Sequence, residues 1–375
     1  MKNIQNILVI PDSFKGGMSS QRICDLCERA VHAEWPHAEV VKLPVADGGE
    51  GSVDALLAAA GGEKIFCAAA NPFNEETQSF YGLLPDGTAI VEMAAAAGLP
   101  QAGARKNPMI STTFGVGQLM AHAIKIGCKQ LILAMGGSAT NDAGCGAAAA
   151  LGVRFYNAEG ESFVPVGGTL SQIARIDTTG CQLHVPIIAM CDIDNPLYGA
   201  AGAAFVYAPQ KGADAAMVQC LDEGLRHFAQ VAKRDCGVDV SLLPGAGAAG
   251  GLGAGAVAFW GARLQMGIET VLDAVHFDAQ LAKADLVITG EGRIDTQSLR
   301  GKVVLGVAKR AKAQNVPVIA LVGDVGDGID SAYEQGVSAV FSINRVALPF
   351  EQAVLRSEAD LYATVRDIMR FAKIS

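Results

Sequence analysis

Short apolar runs alternate with longer amphipathic segments along most of the 375-residue chain. The runs have the length and β-branched content of buried strands, and the longer segments repeat their apolar positions at helical spacing. The predicted strands are residues 7–10, 40–43, 65–68, 89–92, 131–134, 187–189, 204–207, 286–288, 318–321 and 339–342. The predicted helices are residues 20–33, 52–60, 115–126, 213–233, 303–314 and 350–372. This alternation predicts an α/β fold with parallel sheets.

The middle of the chain differs from its two ends. Residues 78–84 and 88–92 flank a Pro-Asp-Gly turn and predict a hairpin, and residues 242–262 are rich in Gly and Ala. Both ends consist of plain βα units. We therefore predict a Rossmann-like doubly wound domain made of residues 1–70 and 283–375, with a second α/β domain, residues 71–282, inserted into it.

Composition narrows the class of protein. Half of the residues are hydrophobic and 18% are charged, which is typical of a compact enzyme and not of a disordered chain. The net charge is −9 and no dense run of Lys or Arg occurs, so we expect no nucleic-acid partner. A homo-oligomer is compatible with the sequence, which leaves the oligomeric state open.

Cysteine usage and hydropathy predict a cytoplasmic protein without a membrane partner. The nine cysteines are scattered, apart from Cys24 and Cys27 in a predicted helix, and this is typical of reduced thiols. Those two are expected to be buried small residues and not a zinc or redox pair. The N-terminal residues show no signal-peptide pattern, and the uncharged stretch 242–262 is too rich in Gly and Ala to favour a bilayer.

The segment 287–302, VITGEGRIDTQSLRGK, carries the densest set of polar groups after a predicted strand. A polar loop at the end of a buried strand is where α/β proteins usually bind ligands. Its candidate binding residues are Gly290, Glu291, Arg293, Asp295 and Lys302. Glycine permits close approach of an anion, Arg and Lys neutralise it, and an acid can accept a proton or hold a metal. The alternative is an ion-paired turn before a helix.

Two loops near the N-terminus have a similar character. Ser13 and Lys15 follow the first predicted strand and could contact a phosphate or carboxylate, or they could belong to a capped turn. Asp47, Gly48 and Gly49 follow the second strand and open a helix. The acid here favours a metal or a hydroxyl as ligand, unless it serves only the helix dipole.

A third polar loop, residues 136–142 (GGSATND), follows predicted strand 131–134. Its Gly137, Ser138, Thr140 and Asn141 combine backbone N–H groups, hydroxyls and a helix N-terminus, which predicts a phosphate cradle. A capped turn alone would not need so many polar side chains together.

A fourth loop, residues 191–196, follows predicted strand 187–189. Asp192 is nearest the strand end, where an acid can coordinate Mg²⁺ or act as a general base, and Asp194 could cap the next turn. No Walker A or GxGxxG motif accompanies these loops, and none of the six histidines falls in them. Acids, hydroxyls, glycines and a few cations suit Mg²⁺-assisted phosphoryl transfer.

Taken in order, these segments resemble the bacterial type-1 glycerate kinase family from Pro11 to beyond Lys302. The resemblance rests on PDSFKGGMSS, PVADGGEGSVDAL, VEMAAAAGL, MGGSATNDAG, CDIDNPLYG, PQKGA, PGAGAAGGLGA and ITGEGRIDTQSLRGK. Departures are mild: Ala97 stands where relatives often have Ser, and Ala143 where they often have Gly.

The resemblance implies a glycerate 2-kinase that phosphorylates D-glycerate to 2-phosphoglycerate with ATP and Mg²⁺, at a cleft between a Rossmann-like and an inserted domain. Such an enzyme serves glycerate, glyoxylate or sugar-acid catabolism, with small molecules as its partners.

Within this resemblance we assign roles as hypotheses. Asp192 or Asp295 accepts the proton of the attacking hydroxyl, and Asp47 and Asp192 help to hold Mg²⁺. Arg293 and Lys302, with Lys15 near them, neutralise the glycerate carboxylate or the transferred phosphate. The remaining candidates for binding substrate or phosphate are Ser13, Gly48, Gly49, Gly137, Ser138, Thr140, Asn141, Gly290 and Glu291.

Two other functions stay open. A phosphatase of the haloacid-dehalogenase type would use Asp192 as nucleophile in Asp192-x-Asp194, with Gly323-Asp324 and Asp327 as its distal acidic motif. That interpretation gives the glycine-rich loops no task, and the nucleophile of such enzymes normally follows the first strand. A non-catalytic sensor of small molecules is the third interpretation.

Overall fold

The computed structural model describes residues 4–14, 16–45, 51–295 and 302–374. The chain forms two compact units. Unit 1 contains residues 1–47, 54–60 and 267–375, and unit 2 contains residues 48–53 and 61–266. Each unit is built on a main sheet of its own.

Strands and helices alternate through both units, as the apolar pattern predicts. The described strands are β1 Asn6–Pro11, β2 Glu39–Lys42, β3 Glu63–Ala70, β4 Glu76–Leu83, β5 Thr88–Glu92, β6 Gln130–Ala134, β7 Arg154–Tyr156, β8 Ser162–Phe163, β9 Arg175–Asp177, β10 Ile187–Met190, β11 Arg263–Gln265, β12 Leu286–Ile294, β13 Val318–Val325 and β14 Ala339–Ser342. The described helices are α1 Ser20–Glu34, α2 Ser52–Ala60, α3 Met93–Ala97, α4 Leu99–Ala102, α5 Phe114–Lys125, α6 Cys145–Ala150, α7 Ala203–Tyr207, α8 Ala215–Asp235, α9 Ala248–Trp260, α10 Gly267–Ala274, α11 Phe277–Leu281, α12 Val303–Ala313, α13 Asp330–Glu334, α14 Phe350–Val354 and α15 Ser357–Ile374.

Unit 1 is built on a parallel sheet with strand order β14-β13-β12-β1-β2. The strands β1 and β12 are almost entirely buried, as expected for apolar runs at the centre of a parallel sheet. Helices α1 and α15 cover one face, where Ile7, Val9 and Ile288 pack against residues such as Leu361 and Val365. The order reverses direction between β1 and β12, so their carboxyl ends flank the crevice in which doubly wound sheets bind ligands.

Unit 2 contains a mixed sheet with strand order β11-β10-β6-β5-β4-β3. β5, β6, β10 and β11 are parallel, whereas β4 is antiparallel to both β3 and β5. The predicted hairpin is confirmed as β4 and β5, in which Leu83 pairs with Ala89. Because parallel strands end at one edge, the segments after β5, β6 and β10 share that edge. A second small sheet has the order β8-β7-β9.

The α/β fold class is confirmed, but three predicted elements differ. Residues 204–207 form helix α7 and not a strand. Ala204 and Ala208 are buried at helical spacing while Phe205 and Val206 are exposed, so the short apolar run has a helical and not an alternating pattern. Predicted helix 350–372 is two helices, and the Ser357 hydroxyl donates to the Val354 carbonyl between them.

The third difference concerns the polar segment 287–302. The strand predicted to end at residue 288 continues to Ile294, because β13 is also long and pairs with β12 up to Ile294 and Val325. Gly290, Glu291 and Arg293 therefore lie in a strand and not in a loop. A Cβ on Gly290 would lie 2.3 Å from the Leu321 carbonyl oxygen, so this glycine allows the two strands to pair closely.

The boundaries of the two units differ from those predicted at residues 70 and 282. Residues 61–70 belong to unit 2, since β3 pairs along its whole length with β4. Residues 267–282 belong to unit 1, where Glu269 of α10 binds the Arg310 guanidinium of α12.

Cys24 and Cys27 are fully buried on α1, as predicted, and burial raises the pKa of Cys27 to about 12. Among the described residues, no helix combines the length and apolar character needed to cross a membrane. The Gly/Ala-rich stretch instead contains α9.

Candidate active site

In unit 1, polar side chains gather where β1 and β12 end. The Asp12 amide donates to the Gly290 carbonyl (2.8 Å), which extends the pairing beyond β1 and fixes where Asp12 and Ser13 leave the sheet. The Ser13 amide then donates to the Asp12 carboxylate (2.6 Å). These two residues therefore stand at the switch point predicted by the strand order.

A cavity of about 410 Å³ opens at this point. Its lining brings together several residues that the sequence singled out, and the lining residues are Asp12, Ser13, Glu291, Gly292, Arg293, Asp295, Lys302, Asp324 and Phe350. Among the described lining residues, the four acids outnumber the two cations. A bare phosphate would meet net repulsion here, whereas a phosphate accompanied by a divalent cation would not.

Of the predicted cations that the structure describes, Arg293 makes the most contacts with acids. Its guanidinium lies 3.5 Å from the Asp295 carboxylate and 3.4 Å from that of Asp324. The arginine side chain is 59% exposed, so these contacts are weak and can be exchanged for a ligand. Lys302 is exposed at the N-cap of α12, and Glu291 is buried with 5% exposure.

A second cavity of about 320 Å³ adjoins the first and shares Gly292, Asp324 and Phe350 with it. Most of its remaining lining is apolar: Phe14, Gly17, Ile343, Leu348, Ala353 and Val354, with Gly323, Asn344 and Ser357. The Asn344 side-chain amide donates to the Gly323 carbonyl (2.6 Å). Unit 1 therefore presents a charged compartment beside an apolar one. Of the predicted residues, Lys15, Asp47, Gly48 and Gly49 lie outside the described part of the chain.

In unit 2, the loop after β6 is held in place by backbone contacts. The Leu99 amide donates to the Gly137 carbonyl and the Ala139 amide to the Ala97 carbonyl, both at 2.9 Å. The Ser111 hydroxyl donates to the Ala139 carbonyl (2.8 Å). Gly137 adopts a φ of 77° and is exposed, whereas Ser138, Thr140 and Asn141 are buried.

Asp142 anchors the end of this loop. Its fully buried carboxylate accepts hydrogen bonds from the amides of Thr113, Gly144 and Gly146 and from the Thr113 hydroxyl, at 2.7–3.2 Å. Burial raises the pKa of Asp142, and the four hydrogen bonds oppose that shift. The residue fixes the backbone of the loop and the start of α6.

Lys211 is a further candidate site residue, which was not among those predicted from the sequence. It is 3% exposed, and its ammonium donates to the Ser138 hydroxyl (2.8 Å) and the Thr140 carbonyl (2.7 Å). Burial lowers the pKa of Lys211 to about 7, against the opposing effect of the Asp142 carboxylate. The only available signal was the motif PQKGA, in which a lone lysine precedes a glycine.

Two neighbouring side chains of the loop are buried without hydrogen bonds. Within the described residues, the Thr140 hydroxyl and both amide atoms of Asn141 have no hydrogen-bond partner, although both residues are 0% exposed. A polar group in that state destabilises the folded chain by about 1–3 kcal/mol. In a native protein each such group calls for an explanation, and a bound ligand, ion or water is one.

The other two strand ends of this edge also carry acids. Asp192 is exposed just after β10, and Met190 pairs with Ala134 of β6, so the Asp192 and Gly136 segments leave adjacent strands at the same level. Glu92, at the end of β5, was not predicted as a site residue. It accepts hydrogen bonds from the Gly51 and Val53 amides and so caps the start of α2.

The comparisons with known proteins agree with the resemblance of the motifs. The model of the glycerate kinase family matches residues 7–373. A Bacillus cereus protein named glycerate kinase is 46% identical over 374 residues, 98% of each chain. An Escherichia coli protein named glycerate 2-kinase is 42% identical over 342 residues, 90% of each chain.

A solved structure agrees as well. The crystal structure provisionally described as glycerate kinase 2 from Salmonella typhimurium has a TM-score of 0.89 and 41% identity, covering 99% of both chains. This protein therefore belongs to the glycerate kinase family and is an enzyme of the kinase class.

Proposed function

We propose that this protein is a glycerate 2-kinase, which transfers the γ-phosphoryl group of ATP to the 2-hydroxyl of D-glycerate. The observation that carries the proposal is its similarity to glycerate kinases over nearly its whole length. The acids, hydroxyls and cations at the strand ends support it chemically. Phosphoryl transfer requires positioned substrates and neutralised charge more than a protein nucleophile.

We assign the nucleotide to unit 1. The switch point of a doubly wound sheet is the usual binding place for nucleotides. The adjoining compartments match the two halves of such a ligand, since a base has apolar faces and a triphosphate is highly charged. Arg293 and Lys302 line the charged compartment, and Phe14 and Leu348 line the apolar one.

Ala353→Trp tests this assignment by filling the apolar compartment. We expect the KM for ATP to rise about tenfold or more while the KM for glycerate stays unchanged. Ala359→Trp is the matched control, since Ala359 is exposed on the neighbouring helix and lines neither cavity. An unchanged KM for ATP in Ala353→Trp would remove the support for this placement.

The donor set fits Mg²⁺, which prefers carboxylate oxygens and usually takes only one or two of them beside nucleotide phosphates and water. Among the described residues, no group of three or more potential metal ligands occurs. We assign Asp47 and Asp192 as the protein ligands. The bound cation would neutralise charge on the transferred phosphoryl group.

The proton of the glycerate 2-hydroxyl goes to Asp192 or Asp295. Asp192 is exposed at a strand end of unit 2, and Asp295 lies beside the Arg293 guanidinium in unit 1. Arg293, Lys302 and Lys15 neutralise carboxylate or phosphate charge. Ser13, Gly48, Gly49, Gly137, Ser138, Thr140, Asn141, Gly290 and Glu291 remain the proposed binding residues.

Removing the correct base is expected to lower kcat about 10²- to 10⁴-fold, which is the usual contribution of general base catalysis. Asp192→Asn and Asp295→Asn are the test variants, with Asp194→Asn and Asp327→Asn as exposed controls. If both test variants turned over at nearly the normal rate, the base would lie elsewhere.

The activity itself is tested by coupled ADP release over a panel of small hydroxy acids, with the product identified by NMR. We expect D-glycerate to be used and 2-phosphoglycerate to form. Free phosphate released from sugar phosphates would favour the phosphatase, and ligand-dependent thermal shifts without ATP consumption would favour the sensor.

The nine cysteines are all free thiols, which supports a cytoplasmic location.

A further inference from the structure

We propose that Lys211, together with Thr140 and Asn141, binds an anionic oxygen group of a substrate in unit 2, and that this group is the carboxylate of glycerate. The inference rests on the proposed function for the identity of the ligand. It adds a binding residue that was not among the predicted candidates.

The first support is the state of the lysine itself. An ammonium carries three N–H donors, and two of them are satisfied by Ser138 and by the Thr140 carbonyl. Among the described residues Lys211 forms no ion pair, and the one charge that acts on its pKa is that of Asp142. A buried cation without an ion pair is costly, and an anionic ligand would offset that cost.

The second support comes from the neighbouring loop and is independent of the lysine. The Thr140 hydroxyl and the Asn141 amide together offer donors and acceptors that the described residues do not use. A 2-hydroxy acid presents a carboxylate beside hydroxyl groups, so its chemistry matches a cation beside a hydroxyl and an amide. The Asp142 carboxylate does not compete for the lysine, because its oxygens accept four other hydrogen bonds.

The place in the fold also suits a ligand. The loop leaves β6 at the edge where β5 and β10 end, and Gly136 and Gly137 at its start are partly or fully exposed. A phosphate group has the same oxyanion chemistry as a carboxylate, so the test must separate glycerate from nucleotide.

The test uses the full-length protein and the variants Lys211→Met, Lys211→Arg and Thr140→Val. Binding is measured by calorimetry with D-glycerate alone and with ATP alone, and KM and kcat are measured for both. Lys125→Met is the control, because Lys125 is an exposed lysine of the same unit without an ion pair among the described residues.

We expect Lys211→Met to weaken D-glycerate binding about 10- to 100-fold, the usual effect of losing a charged hydrogen bond, while ATP binding and the control stay unchanged. Lys211→Arg retains part of the affinity because it keeps the charge. Weakened ATP binding with normal glycerate binding would support the oxyanion site and assign a phosphate to it.

Thr140→Val separates a ligand contact from a packing role. If the hydroxyl binds nothing, its removal stabilises the fold and leaves both KM values unchanged, and that result would overturn its part in the site. If Lys211→Met folds normally and binds both substrates like wild type, the proposal is wrong, whatever happens to kcat. A wild-type protein that binds D-glycerate through Lys211 without turnover would overturn the proposed function and leave the site intact.

Discussion

At the scale of single residues, Lys211 of unit 2 combines an ionisable side chain with nearly complete burial. Its ammonium is buried and, within the part of the chain that the structure describes, bonded only to neutral oxygen atoms of Ser138 and Thr140. In a low-dielectric interior the neutral amine is favoured over the ammonium, and this is why the pKa of Lys211 falls from 10.5 to about 7. Such perturbed groups concentrate at functional sites.

The lowered pKa of Lys211 predicts a pH dependence of stability. Between about pH 7 and pH 10.5 the unfolded chain binds more protons at this residue than the folded chain, so the free energy of unfolding rises with pH. Across this whole window the free energy of unfolding rises by on the order of 5 kcal/mol. Lys211→Met lacks this titrating group. The stability of the variant relative to wild type should therefore be highest near pH 6 and decline toward pH 9.

Urea unfolding of both proteins at several pH values, without substrate, measures this difference. The groups shared by wild type and variant cancel, apart from Asp142, whose charge acts on Lys211. A stability difference that stays constant from about pH 6 to pH 9 would show that the lysine is not buried as described.

Asp142 gives the second prediction at this scale. Asp142→Asn places an NH₂ group against N–H donors of the loop, so we expect a loss of about 2–4 kcal/mol in the free energy of unfolding. Asp239→Asn is a suitable control, since Asp239 also accepts hydrogen bonds from Lys233 and Ser241 but is 46% exposed. Equal losses in chemical denaturation would contradict the anchoring role of Asp142.

At the scale of elements, the glycines of α9 are explained by backbone packing. Ala249, Gly250 and Gly251 all have positive φ, and a Cβ on Gly250 would lie 2.0 Å from the Thr140 carbonyl oxygen. The Gly250 carbonyl also accepts a hydrogen bond from the Ala143 amide (3.1 Å). The backbone at the start of α9 therefore packs directly against the loop that contains Thr140.

Gly250→Ala tests this contact. The variant meets both left-handed strain and a backbone clash, so we expect a loss of more than about 3 kcal/mol in stability together with weaker glycerate binding. Gly261→Ala, at the other end of the same helix, has a similar φ (62° against 67°) but nothing within 4 Å of the new Cβ. It should lose only about 1–2 kcal/mol in thermal or chemical unfolding, with normal binding. Similar effects in both variants would mean that the clash is absent.

The apolar pattern predicted most elements because burial in a parallel sheet requires continuous apolar runs. It failed at residues 204–207, where four residues are too few for either period to decide. It also ended β12 too early, because Gly290 and Glu291 look like a turn until β13 is seen to pair with them.

At the scale of the whole molecule, the sequence of unit 1 is interrupted by the sequence of unit 2. Residues 61–266 of unit 2 are continuous in sequence and contain two hydrophobic cores of their own. Unit 1 is assembled from both chain ends, and α1 and α15 join them through Trp35 Nε1, which donates to the Met369 carbonyl (3.1 Å).

We therefore expect residues 61–266 to fold when expressed alone and to show a cooperative thermal transition. The fragment should be less stable than unit 2 in the intact protein, because Glu92 loses the Gly51 and Val53 amides. Circular dichroism melting and dispersed amide NMR signals measure this. A fragment without a cooperative transition would show that unit 2 depends on the remainder of the chain.

The sequence by itself determined the α/β class, most strands and helices, and the polar loops, because burial periodicity and glycine-rich turns are local properties. Its ordered motifs also determined the family. The tertiary structure decided which of those groups meet. It brought Ser13, Arg293 and Lys302 to one cavity and placed Lys211 against the Ser138–Asn141 loop, 71 residues from Thr140. Those encounters depend on strand order and on contacts distant in sequence, which no local pattern encodes.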